Sequence, residues 1–262
     1  MLKVAPDYPE IQFVGCTNQG SWNDGLDNTH NAFANIYEGR YLAGVAAGMK
    51  LNEMIAAGEF TEQEAKIGYV GAFTYAEVIS GMTSFYLGAR SVCPSATMKV
   101  RYTGSWYDQA KEQEAATALI EKDKCVLISQ HADSLGAPTA CELAGVPNVS
   151  YNGSTYSAGE TTFIISSAIN WAPYFQYIIE TVVKGEAIAP DWCGTIATNS
   201  VVLSGVNQDV AAEGTIEKIN EAIKALEAGT LHVFDTANFT VDGKTLTEYL
   251  ADVDGDYTGE TN

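Results

Sequence analysis

Four aromatic side chains stand where an apolar run gives way to a helical pattern: Phe73, Tyr75, Trp106 and Trp171. Rings in such places can stack on a planar or sugar-like solute and shield it from water. Polar residues accompany them. Asp108 follows Trp106 at the start of a helical pattern, where it either caps that helix or accepts a hydrogen bond from a solute. His131, in the cluster Gln130-His-Ala-Asp133, is expected as a hydrogen-bonding loop residue near the same rim. These side chains can hold a small molecule, and their spacing offers no reaction.

Several chemistries lack their residues. His131, Asp133 and Ser134 are the types of a hydrolytic triad, but neighbours on one loop do not converge on a reacting atom, and no Gly-x-Ser-x-Gly elbow exists. His30, His131 and His232 are too scattered for a metal, so neither metal nor cofactor is expected. The five cysteines form no Cys-x-x-Cys pair, and Cys125 and Cys141 read as small buried hydrophobes. A nucleotide-using enzyme would need Gly-x-Gly-x-x-Gly or a P-loop; neither occurs. With 33 acidic against 14 basic side chains and a formal charge of −19, the chain would repel nucleic acid and anionic membrane surfaces.

The elements that must position these residues show in a repeat. Four times between Lys66 and Thr155 an apolar run ends in a small polar cluster and a helical pattern follows: Ile67–Gly71, Met98–Tyr102, Cys125–Ser129 and Asn148–Tyr151 are the runs. Such runs indicate parallel strands buried on both faces, with ligands gathering beyond their carboxyl ends. Helices are expected over Ala76–Ser91, Gln109–Lys122 and Leu135–Ala144, and on either side over Asn31–Met54, Trp171–Val183 and Thr215–Ala228. Further strands are expected at Ile11–Gly15, Thr162–Ser166 and Val201–Val206, with a short extended piece at Leu231–Phe234. Gly39, Gly44 and Gly48 interrupt the first helix, each at about 1 kcal/mol relative to alanine, which close helix packing would explain. The acidic tail, Ala251–Asn262, reads as frayed and solvated, alternate aspartates at 252–256 included.

Glu38-Gly-Arg-Tyr-Leu-Ala-Gly-Val-Ala-Ala-Gly48, Lys66-Ile-Gly-Tyr-Val-Gly71, Tyr102-Thr-Gly-Ser-Trp-Tyr-Asp108 and the strand closing at Tyr151 resemble the basic membrane protein family. These are substrate-binding lipoproteins of ABC importers, and one branch binds purine nucleosides. The resemblance implies an α/β chain with the type I periplasmic-binding-protein fold: two Rossmann-like lobes with parallel sheets, joined by three crossovers. Residues 1–66 with 167–190 would form the first lobe and 67–166 with 191–262 the second. It implies a small-molecule solute such as a nucleoside, a permease as partner, and a cell-surface or periplasmic lipoprotein. The resemblance also implies a leader and a lipid-bearing cysteine ahead of this sequence, which is expected to enter the family pattern near the end of a third helix and so to hold an incomplete first lobe.

Against that family, Asn152 and Ser154 stand where nucleoside binders carry two aspartates for ribose hydroxyls, and Asn170 stands where they carry a lysine. An amide both donates and accepts, so polar-solute binding survives the exchange while the charge does not. The resemblance also places Trp106 at the cleft. A solute receptor for import and a ligand-sensing regulatory domain on the same fold remain alternatives, since fold does not dictate function.

Overall fold

The computed structural model describes residues 1–17, 24–235, 240–241 and 244–245. In chain order its principal elements are β1 (Phe13–Gly15), β2 (Thr29–Ala34), α1 (Ile36–Ala56), β3 (Lys66–Gly71), α2 (Ala76–Val92), β4 (Thr97–Tyr102), α3 (Gln109–Glu121) and β5 (Leu127–His131). They continue with α4 (Gly136–Ala144), β6 (Asn148–Tyr151), β7 (Phe163–Ile169), α5 (Ala172–Lys184), β8 (Asp191–Gly194), β9 (Val201–Leu203) and α6 (Thr215–Glu227).

Two sheets result. The larger has the order β4-β3-β5-β6-β7-β9, and the smaller is β1-β2-β8. Alternation along the strands separates two apolar layers of the larger sheet: Ile67, Tyr69 and Leu127 join the core with α1 and α2, whereas Val70 and Ile128 join Leu119, Ala137 and Cys141 of α3 and α4. Within these two sheets every pairing is parallel except β7 with β9, which is antiparallel. The four strand-helix units are parallel as expected, and β9 runs the other way at one edge, where it returns directly from the small sheet and needs no helical crossover.

Three further differences have local causes. The helical reading began at Asn31, but residues 29–34 form β2, the buried middle strand of the small sheet; its side chains are covered on both faces, which erases the alternation that marks a strand. Strand β8, only Asp-Trp-Cys-Gly, becomes a strand through pairing with β2. Leu231–Phe234 forms no strand, and the acidic tail lies outside the described residues. The expected lobe boundaries put α1 with the first lobe and β8 with the second. The packing puts α1 against α2, α6 and β7 of the large sheet, and β8 beside β2.

Helices α1 and α2 meet without intervening side chains. A Cβ on Gly44 would overlap the Phe85 carbonyl, and one on Gly88 would overlap the Tyr41 carbonyl, so each helix lays its backbone in the other's groove. Gly44→Ala should therefore destabilise by about 1–3 kcal/mol, because overpacking against main chain outweighs the propensity gain of about 1 kcal/mol. Chemical denaturation checks this; stability equal to or above wild type would mean the helices can separate at no cost.

The chain passes between the sheets at three adjacent segments. The Asn35 amide donates to the Gly194 carbonyl (2.7 Å), and the Asn170 amide donates to the Ser200 carbonyl (2.8 Å). Among the described residues no helix is long and apolar enough to cross a membrane.

Candidate functional site

Parallel pairing brings the carboxyl ends of β4, β3, β5 and β6 to one edge of the large sheet, and the loops leaving them are tied to one another by main-chain bonds. The Thr103 and Gly104 amides donate to the carbonyls of Gly71 and Ala72 (both 2.9 Å), Ala72 donates to His131 (3.0 Å), and Asp133 donates to Trp106 (2.8 Å). Beneath them the buried Glu112 carboxylate accepts from the Asp108 amide (3.2 Å) and from the Ser134 amide (3.3 Å). Burial pushes the Glu112 carboxyl up, and these amide donors only partly offset it.

On this edge the rings of Phe73 and Tyr75 stack 4.8 Å apart at 18°, with Trp106 edge-on to Phe73 at 5.7 Å. Tyr75 keeps 42% of its surface exposed. Trp106 in turn lies 6.2 Å from the His131 ring, which stacks on Tyr151 at 3.8 Å. A ladder of rings thus runs from the open rim into the sheet.

His131 is the last residue of β5 and fully buried, so its expected role in an open loop gives way to a strand position. It occupies the strand face that points at α1 and α2, as Leu127 does, and Gly81 on α2 leaves the imidazole its room. Its Nε2 lies 2.8 Å from Glu77 Oε1, and its Nδ1 lies 3.5 Å from the Tyr69 hydroxyl. A carboxylate can only accept, so we assign the proton to Nε2. The Tyr151 hydroxyl donates to the same Glu77 oxygen at 2.9 Å. Burial works to raise the Glu77 carboxyl, but His131 and Tyr151 outweigh it and hold it below the usual range. Burial, and the neighbouring Glu77 charge, push the Tyr151 phenol well up.

Arg40 closes the network from below. Although fully buried, its guanidinium donates from Nη1 to the Ser150 carbonyl (2.7 Å) and from Nη2 to Ser129 Oγ (2.6 Å) and the Tyr69 hydroxyl (3.3 Å). It also sits 4.9 Å from the Phe85 ring centroid, a cation–π contact.

The other expected residues divide. Asn152, left-handed at φ 60° as asparagine tolerates, directs its amide toward Asp133 Oδ1 at 3.5 Å, beside the ladder. Asp108 accepts from the Lys111 amide (3.1 Å) and pairs with Lys111 Nζ (3.2 Å), which is the helix-capping alternative. Ser154 is exposed, and its hydroxyl accepts from the Tyr156 amide (3.3 Å). Asn170 and Trp171 lie in a crossover: Asn170 donates to the Asn199 carbonyl (2.8 Å) and accepts from the Ala172 amide (3.2 Å), while Trp171 precedes α5. No group of three or more His, Cys, Asp or Glu side chains that could hold a metal occurs among the described residues.

Sequence reading missed Arg40, Glu77, Tyr69 and Tyr151. Arg40 had a signal, a cation in the first turns of α1 just ahead of its run of alanines and glycines. Glu77 had a misleading one, because an acid in a helix's first turn reads as a complement to the helix dipole.

Residues 1–230 match the family described as ABC transporter substrate-binding protein, PnrA-like. The chain belongs to that family. A relative of these PnrA-like proteins in Haloferax volcanii, named as an ABC transporter glucose-binding protein, is 35% identical over 213 residues, 81% of this chain and 50% of that protein. A purine-binding protein of Brucella abortus is 32% identical over 184 residues, 70% of this chain and 48% of its own length. The chain thus spans about half the length of these curated relatives. A solved ABC transporter solute-binding protein from Conexibacter woesei superposes with a TM-score of 0.65 at 22% identity, over 88% of this chain and 74% of its own. Like its PnrA-like relatives, the chain has the α/β, parallel-sheet fold of type I periplasmic binding proteins.

Proposed function

We propose that this chain is the solute-binding component of an ABC-type importer and that it holds a small, uncharged, ring-shaped solute without altering it. The observation that carries the reading is the ladder Tyr75, Phe73, Trp106, His131 and Tyr151 at the carboxyl edge of a parallel sheet, where open α/β sheets take their ligands. The large sheet with α1 to α4 and α6 forms one lobe of the clamp, and the small sheet with α5 forms part of the other. The three crossovers serve as the hinge, and the closed form is what a permease recognises. The protein works outside the cytoplasm, held to the membrane by a lipid on a segment preceding these residues.

A purine, or a nucleoside built on one, is the favoured solute, because flat rings stack most completely on rings and a purine-binding relative shares the family. A hexose is the second reading, supported by the glucose-binding relative. Thermal-shift and calorimetric titration of the chain with adenine, inosine and D-glucose tests both. Ligand at 100 Kd should stabilise by about 2.7 kcal/mol, several degrees in Tm. Absence of a shift with every member of the panel would defeat the reading.

A further inference from the structure

We propose that Glu77 is the solute's polar anchor, and that it selects neutral ring solutes presenting an N–H or O–H donor along their edge. This rests on the receptor reading above and deepens it. Glu77 lies in the first turn of α2, two residues beyond Tyr75 of the ring cluster. Both internal donors, His131 Nε2 at 2.8 Å and the Tyr151 hydroxyl at 2.9 Å, converge on its Oε1. Its Oε2 takes no hydrogen bond among the described residues, and the side chain keeps 14% of its surface open. A carboxylate with one oxygen taken by two donors is held in its rotamer, and its second oxygen keeps an unspent acceptor.

That acceptor can only be satisfied by a donor. A solute carboxylate or phosphate would bring like charge toward Glu77 and toward Asp133, whose Oδ1 faces Asn152 close by. A ring lying on Tyr75 or Trp106 keeps its edge free, so its N–H or O–H groups remain available to an acceptor at the border of the stack. A purine with an exocyclic amine and a hexose with equatorial hydroxyls share this chemistry, and the experiment separates them.

The test is calorimetric titration of wild type, Glu77→Gln and Glu77→Asp with adenine and with D-glucose, beside thermal melts of each protein. The ring solute that wild type binds should lose at least tenfold in affinity in both variants, since Gln halves the accepting capacity and Asp withdraws it by one methylene. On the ligand side, wild type should prefer 9-methyladenine to 9-methylpurine, which has no N–H donor, or D-glucose to one of its deoxy analogues, by a similar factor. Glu77→Gln should no longer show that preference. Undiminished binding by Glu77→Gln, or equal binding of 9-methyladenine and 9-methylpurine where adenine is the ligand, overturns the anchor and leaves the receptor reading standing. Binding of no solute by wild type defeats both. Should the variants fail to fold, the comparison of ligands on wild type decides alone.

Discussion

Arg40→Ala should cost about 3–5 kcal/mol of stability, a large fraction of the roughly 5–15 kcal/mol by which a folded domain is stable. The side chain is among the largest fully buried ones, so truncation opens a cavity between α1 and the large sheet. It also takes the guanidinium donors from the Ser150 carbonyl and from Ser129 Oγ, which keeps only its own bond to the Val149 carbonyl; a buried polar group left unpaired costs about 1–3 kcal/mol. Thermal denaturation should show a Tm about 6–15 °C below wild type. Two replacements separate the contributions. Arg40→Met refills the volume and leaves the polar groups orphaned; Arg40→Lys keeps the charge but lacks the planar fork that reaches Ser150, Ser129 and Tyr69 together. We expect both to recover less than half of the loss. Methionine could instead equal or exceed wild type, as apolar replacements of buried ion pairs elsewhere have done. In that case the guanidinium bonds add nothing net, and the network beneath the ladder is not held by Arg40.

The same residue shows where sequence reading ends. The four strand-helix units, the switch from continuous apolar runs to helical spacing and the glycines of α1 were legible, because each is a local consequence of which faces are buried. The glycine reading even extends to its partner: Gly44 and Gly88 are the two sides of one helix crossing. The rings that gather at the sheet edge were legible for a related reason, since parallel order alone sends the loops after β3 and β4 to the same rim. What escaped was set by pairing across distance. Strand β8 exists only because β2 lies beside it, and β2 is covered so thoroughly that its alternation disappears. His131 looked like a loop residue because the polar cluster 130–133 resembles a turn, whereas the side chains of Ser129 and His131 are the polar lining that Arg40, Tyr69 and Glu77 satisfy. A polar strand end buried against a charged helix has no signature in either segment by itself. Asn170 belongs to the same class, since both ends of its amide are occupied by neighbours in the crossover.

Trp106→Ala should weaken solute binding roughly 30- to 100-fold, about 2–3 kcal/mol, while moving the Tm by no more than a few degrees. The two effects separate because of how Trp106 is attached. Its carbonyl, not its ring, accepts the Asp133 amide that ties the β4 and β5 loops, and alanine preserves that bond. The half-buried ring meets Phe73 edge-on at 5.7 Å and Tyr75 at 6.4 Å, loose contacts whose removal costs the fold little. A solute laid against the indole loses its largest apolar partner and regains contact with water. Trp106→Phe should recover part of the loss, because a smaller ring still stacks, and Phe73→Ala should cost less than Trp106→Ala, because Tyr75 already covers one face of Phe73. Calorimetry with whichever of adenine or D-glucose binds wild type measures all three. A Trp106→Ala protein that keeps wild-type affinity, or that loses stability and affinity in proportion, would reduce the ring ladder to packing and move the search for the solute to other loops of the same edge.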